Sequence, residues 1–137
     1  MQLTVVGCSG SFPGPDSPAS CYLLEHDGHR LVLDMGNGSL GALQQVTDIY
    51  GIDAVVLSHL HVDHFIDLCS YYVALKYRPG GQKTQRVPVW GPADTAKRLV
   101  SAYGLTSSDM AGELDVRTIQ PSFDVGPFRI TTRRMRH

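Results

Sequence analysis

The amino-acid sequence predicts an α/β domain, and three observations carry that prediction. Short apolar runs of strand length alternate with stretches whose apolar residues recur at helical spacing. Glycine and proline punctuate the changes from one to the other. A wholly apolar run, Ala54 to Leu57, reads as a buried strand between two helical stretches. Alternation of this kind sets helices over the faces of a sheet. No internal repeat, low-complexity tract or linker divides the chain, so one domain, 1–137, is expected.

Taken in order, Gln2 to Val6 is a first strand, closed by Gly7-Cys8-Ser9-Gly10-Ser11 and a proline-rich loop from Phe12 to Pro18 that cannot be helical. Cys21 to Glu25 and Arg30 to Asp34 form a hairpin across Asp27-Gly28, a common turn pair. His26 and His29 flank that turn as solvated residues. After the tight turn Met35-Gly36-Asn37-Gly38, the spacing of Leu40, Leu43, Val46 and Ile49 predicts a helix that Gly51 stops. The buried strand follows, then a helix patterned by Phe65, Leu68, Cys69 and Tyr72 that runs to about Tyr77 and ends at Pro79-Gly80-Gly81.

Val87 to Trp90 is a strand, and Gly91-Pro92 opens a helix with Ala96, Leu99, Val100 and Tyr103 on one face. Gly104 to Gly112 reads as loop and Val116 to Ile119 as strand. A last strand, Phe128 to Arg136, follows Asp124-Val125-Gly126-Pro127.

Composition narrows the function classes. Twelve basic against thirteen acidic residues leave a formal charge of -1, so bulk charge gives no sign of a nucleic-acid binder. Three cysteines without a Cys-x-x-Cys pair argue against a disulfide framework or a cysteine zinc site and point to a reducing cytoplasm. The apolar run Leu3 to Val6 is too short for a signal peptide or a membrane span, so no membrane association is expected.

The chemistry is concentrated in Ser58-His59-Leu60-His61-Val62-Asp63-His64, which holds half of the six histidines. Side chains alternate along an extended segment, so His59 and His61 converge while Leu60 turns away to pack. Asp63 suits the N-cap of the following helix, and with His64 it can reach a second point nearby. Imidazole and carboxylate donors together suit zinc, manganese or iron, and the spacing fits two adjacent ions. A polar loop with surface histidines would account for one such residue but not for the whole cluster.

With Asp34-x-Gly36 ending one strand and His59-x-His61-x-Asp63-His64 following another, the chain resembles the metallo-β-lactamase-fold hydrolases. The opening Leu3 to Ser11 is similar to the ribonuclease Z and phosphodiesterase branch. Gly14-Pro15-Asp16-Ser17-Pro18-Ala19-Ser20 together with Ser58-His59-Leu60-His61 is closer to actinobacterial members described as cyclic-nucleotide phosphodiesterases. The resemblance implies a four-layer αββα sandwich, of which this chain supplies the N-terminal half, with the C-terminal half missing. It implies two zinc ions, with manganese or iron as substitutes: His59, His61 and, after the last strand, His137 on the first, Asp63 and His64 on the second. Read alone, His137 is a solvated tail residue.

The implied activity is phosphodiester hydrolysis by a metal-bound hydroxide, with a cyclic nucleotide as the favoured substrate, Asp63 orienting the water, and a cytoplasmic homodimer. Asp34 would accept an imidazole N–H behind the metal, or else be only a strand-end acid before a glycine turn. Ser9 and the N–H groups around Gly10 would line the substrate side, or form a plain turn. Arg129, Arg133, Arg134 and Arg136 make the last strand basic, which suits phosphate but more commonly marks an exposed strand. Val62 stands where ribonuclease Z members carry glycine, and Asp16-Ser17-Pro18 where they carry an arginine-asparagine pair, which weighs against transfer RNA. The alternatives are a ribonuclease Z-type endonuclease on RNA, a thioester or lactone hydrolase, and an inactive truncated fragment that binds metal weakly.

Overall fold

The structure, a computed structural model, describes residues 1–81 and 85–135. Six strands form one sheet in chain order: β1 (Gln2–Gly7), β2 (Cys21–His26), β3 (His29–Leu33), β4 (Ala54–Val56), β5 (Val87–Gly91) and β6 (Leu114–Thr118). The pairs from β1 to β3 are antiparallel and those from β3 to β6 parallel. The β2–β3 turn takes positive φ at Asp27 and Gly28, as the turn pair predicts.

Both faces of the central strand are covered, which is why β4 reads as continuously apolar rather than alternating. Val55 packs with Leu23, Val32 and Val89 beneath α1 (Ser39–Val46), α3 (Asp67–Lys76) and α4 (Thr95–Tyr103), where Leu43, Leu68, Tyr71 and Leu99 are buried. Ala54 and Val56 face the other way with Leu31, against Phe123 and Phe128. Those two aromatics belong to a two-stranded sheet, β7 (Ser122–Val125) and β8 (Phe128–Thr131), paired around Gly126. Among the described residues no helix is long and apolar enough to cross a membrane.

The strand expected over Val116 to Ile119 runs Leu114–Thr118, β7 is an added strand, and five further corrections follow. The last strand is a hairpin arm that ends at Thr131, because it pairs only with β7; Arg133 and Arg134 follow it exposed, and Arg136 and His137 lie outside the described residues. The helix before β4 stops at Val46, where Thr47 turns extended, and Ile49–Gly51 form a separate 3-10 turn. The stretch expected as loop before β6 contains a short helix, α5 (Ser107–Met110), opened by Thr106 bonded to the Asp109 carboxylate. Helix α4 begins at Thr95, four residues after Gly91. Finally, the helix after the histidines is broken at Ile66 into α2 (Val62–Phe65) and α3.

Candidate metal centre

Parallel pairing in register sets the ends of β3 and β4 side by side, with Leu33 opposite Val56. The residues that follow these two strands therefore meet at the carboxyl edge of the sheet, the position where open α/β sheets bind ligands. Asp34 donates its N–H to the Val56 carbonyl at 2.9 Å and then turns sharply, with φ of 60°. Aspartate tolerates this left-handed conformation better than most residues. The turn carries the Asp34 carboxylate back over the end of β4, where it is 6% exposed.

Three groups converge on that carboxylate. Ser58 N–H donates to Oδ1 at 2.7 Å, the Ser58 hydroxyl to Oδ2 at 2.7 Å, and His64 Nδ1 lies 2.7 Å from the same Oδ2. The other face of the His64 ring presents Nε2 to Asp63 Oδ2 at 3.3 Å. The His59 ring is in contact with both remaining imidazoles, its centroid 4.7 Å from that of His61 and 3.9 Å from that of His64. His59, His61, Asp63, His64 and Asp34 thus form one cluster.

Asp63 is not an N-cap. The extended residue ahead of α2 is His61, and Asp63 sits one position inside the first turn, which directs its carboxylate toward His64 Nε2. Backbone bonds lock the arrangement: Met35 N–H donates to the His64 carbonyl at 2.7 Å and Asp67 N–H to the Met35 carbonyl at 3.0 Å. A Cβ at Gly36 would overlap the Asp63 carbonyl, so only glycine allows this approach of the two segments.

The donor set fits a divalent cation. A neutral His64 that donates its Nδ1 proton to Asp34 presents a lone pair at Nε2, and that nitrogen faces a carboxylate oxygen that is also an acceptor. Two acceptors at that distance require a cation or a proton between or beside them. Among the described residues no three His, Cys, Asp or Glu side chains already converge in metal-ligand geometry. His137, expected as a further ligand, lies outside the described residues.

Ser9 is engaged within its own loop. Its hydroxyl donates to the Ser17 carbonyl at 3.0 Å and accepts from Gly14 N–H at 3.4 Å, while Gly10 beside it faces open space. Two residues escaped the sequence reading. Ser58 was signalled only by standing next to His59. Asp67 had no local signal: it accepts from Leu40 N–H at 2.9 Å, capping α1 from another helix. Burial pushes the Asp67 carboxyl above its ordinary pKa, against the opposing pull of the N–H groups of Leu40, Gly38 and Ser39. Burial likewise pushes the nearby Cys21 thiol up to about 12, with the Ser39 hydroxyl pulling down and the charges of Asp34 and Asp67 adding to the rise.

Comparison with known proteins places the chain in a family. An uncharacterized protein of Mycobacterium tuberculosis, Rv1339, is 46% identical over 117 residues, 84% of this chain and 40% of the relative. The probable metallo-hydrolase YhfI of Bacillus subtilis is 32% identical over 139 residues, covering 100% of this chain and 55% of YhfI. Its crystal structure superposes with a TM-score of 0.79 at 28% identity, over 94% of this chain and 51% of that one. The ribonuclease Z of Methanopyrus kandleri is 27% identical over 140 residues, 100% of this chain and 47% of the enzyme. The chain thus spans about half the length, or less, of these relatives. The profile of the metallo-beta-lactamase superfamily matches residues 14–93, a span that encloses Asp34 and the entire histidine segment, and the chain belongs to that superfamily.

Proposed function

We propose that the protein is a metal-dependent hydrolase of phosphodiester bonds, with a cyclic nucleotide as substrate. The observation that carries the reading is the line from Asp34 through His64 to Asp63, a buried carboxylate behind an imidazole whose other nitrogen meets a second carboxylate. His59, His61, Asp63 and His64 would hold the metal, with His137 as a further ligand; zinc suits this donor set, and manganese or iron would also be accepted. When bound, a divalent ion here supplies Lewis acidity and a water acidified toward neutrality.

The protein's own groups do the rest. Asp34 keeps the proton of His64 on Nδ1, so that Nε2 faces the site. Asp63, anchored in the first turn of α2, places a carboxylate where it can orient a water for attack. Gly36 lets the β3 turn close against the Asp63 backbone, which holds that carboxylate in place. Phosphodiester chemistry is supported by the ribonuclease Z relative. The preference for a small cyclic substrate rests on the loop Gly14 to Ser20 and on the absence of the arginine-asparagine pair there.

The test is hydrolysis of cyclic AMP and of a precursor transfer RNA by the full-length protein, with and without added zinc or manganese, alongside a His59→Ala, His61→Ala variant. Metal-dependent turnover of cyclic AMP, lost in the variant, is the expected result. Turnover of the RNA alone would replace the substrate assignment with a ribonuclease Z activity, and cleavage of neither would refute phosphodiester hydrolysis.

A further inference from the structure

Hydrogen-bond bookkeeping around Ser58 fixes more than its contact with Asp34. An ionised carboxylate can only accept, so the single hydroxyl proton of Ser58 is directed at Asp34 Oδ2, 2.7 Å away. Ser58 Oγ then turns a lone pair elsewhere, and His59 Nδ1 lies 3.0 Å from it. That nitrogen must donate. Its proton on Nδ1 leaves the Nε2 of His59 unprotonated, in the same tautomer that direct contact with Asp34 gives His64.

We infer that Ser58 is a positioning residue, relaying the Asp34 carboxylate to His59 so that one buried acid sets the tautomers of two imidazoles, one directly and one through a hydroxyl. The inference rests on the proposal that His59 is a metal ligand. The backbone makes the relay rigid. Ser58 N–H is held by Oδ1 of the same carboxylate at 2.7 Å, and the preceding Leu57 N–H is held by the Trp90 carbonyl at 2.7 Å. The backbone that carries the Ser58 hydroxyl is therefore held at the edge of the sheet, with the hydroxyl within hydrogen-bond distance of both partners. Threonine at this position keeps the hydroxyl. Alanine removes it, leaving Asp34 Oδ2 with His64 Nδ1 at 2.7 Å as its remaining side-chain partner; the Ser58 hydroxyl lies 3.5 Å from that nitrogen, farther than Asp34 does.

The experiment compares full-length wild type, Ser58→Ala and Ser58→Thr, with histidine ring nitrogens labelled and the His59 signals identified by their loss in His59→Gln. Ring-nitrogen shifts of the metal-free proteins at pH 8 report the tautomer, and competition with a chromophoric chelator reports zinc affinity. In Ser58→Ala we expect the His59 ring to change from the Nδ1-protonated form to a mixture, His64 to keep its form, and zinc affinity to fall roughly 10- to 100-fold, as removal of such supporting partners generally does. Ser58→Thr restores both. An unaltered His59 tautomer in Ser58→Ala overturns the relay, and so does a changed tautomer with unchanged zinc affinity. Failure of the wild type to bind zinc would refute the metal reading. The ring-nitrogen signals would still decide the relay, since they are read without metal.

Discussion

Asp34 and His64, thirty positions apart in sequence, are joined at 2.7 Å between Oδ2 and Nδ1. The contact exists because two parallel strands end in register and because Asp34 adopts a left-handed backbone that swings its carboxylate inward. The same carboxylate takes both donors of Ser58, so the end of β4 is organised by an acid belonging to its neighbour.

Replacement of Asp34 therefore tests stability and site together. Asp34→Ala strands the donors of Ser58 and His64 and places alanine in a left-handed conformation; loss of roughly 3 kcal/mol or more is expected, since each buried donor left unsatisfied costs about 1–3 kcal/mol. Asp34→Asn keeps one acceptor and tolerates the backbone, so a smaller loss of about 1–3 kcal/mol is expected. Urea denaturation of the three proteins at pH 7 gives the order directly. Equal midpoints for wild type and Asp34→Ala would show that the network contributes nothing to folding.

Two glycines of the site's loops differ in what surrounds them. A Cβ on Gly36 would strike the Asp63 carbonyl and the Ala19 methyl, whereas one on Gly10 would meet nothing. Gly36→Ala should lose roughly 2 kcal/mol or more and push the β3 turn off the α2 segment, since backbone atoms cannot step aside as a flexible side chain can. Gly10→Ala should be neutral within about 0.5 kcal/mol. Thermal unfolding of both variants checks the contrast. Comparable shifts would mean that the close approach at Gly36 relaxes freely.

How much could be read from the sequence follows from where the signals lie. The apolar run of β4 and the glycine turn after β3 mark the strand ends locally, and parallel pairing then places Asp34 beside Ser58 to His64. The β7–β8 hairpin escaped because its first arm, Ser122 to Val125, is four residues with one buried aromatic. Phe123 pairs with Ile130 and stacks on Trp90 at 4.3 Å, contacts that no local pattern encodes. Asp63 was misplaced as a cap because an aspartate at a helix start suits either the cap or the first turn, and only the extended backbone of His61 decides between them. The relay through Ser58 and the cap from Asp67 depend on tertiary distances.

Asp67 caps α1 across the interhelical gap, and Gly38 at the start of α1 has no side chain to do it. Asp67→Ala should lose about 1–2 kcal/mol, the usual worth of a cap. The pH dependence is separable. Burial raises the folded pKa of this carboxyl, so the folded state holds the proton more tightly. That contribution is greatest below the ordinary carboxylate range and is lost as pH rises through the raised value. Asp67→Asn does not titrate, so the advantage of wild type over Asp67→Asn should shrink as pH rises from below the ordinary carboxylate range through the raised value. Denaturation curves across that range decide it; an advantage that widens would reverse the sign assigned to burial.

Alkaline behaviour follows from Cys21 and Tyr71, both buried on the helical side of the sheet. Burial holds the Cys21 thiol up to about 12, and it raises the Tyr71 hydroxyl, which donates to the Ile49 carbonyl at 3.0 Å. A folded pKa above the unfolded one means that the folded state keeps a proton that the unfolded state releases. Stability is then fully present below the unfolded thiol value of 9.0 and falls as pH rises toward about 12. The slope from one such group approaches about 1.4 kcal/mol per pH unit. Cys21→Ala should reduce that slope by removing one of the two groups, at some loss of packing. The same burial predicts that a thiol reagent at pH 8 labels the exposed Cys8 while Cys21 and Cys69 react only after denaturation. Labelling of all three in the native protein would show that the core around Cys21 opens on the timescale of the reaction.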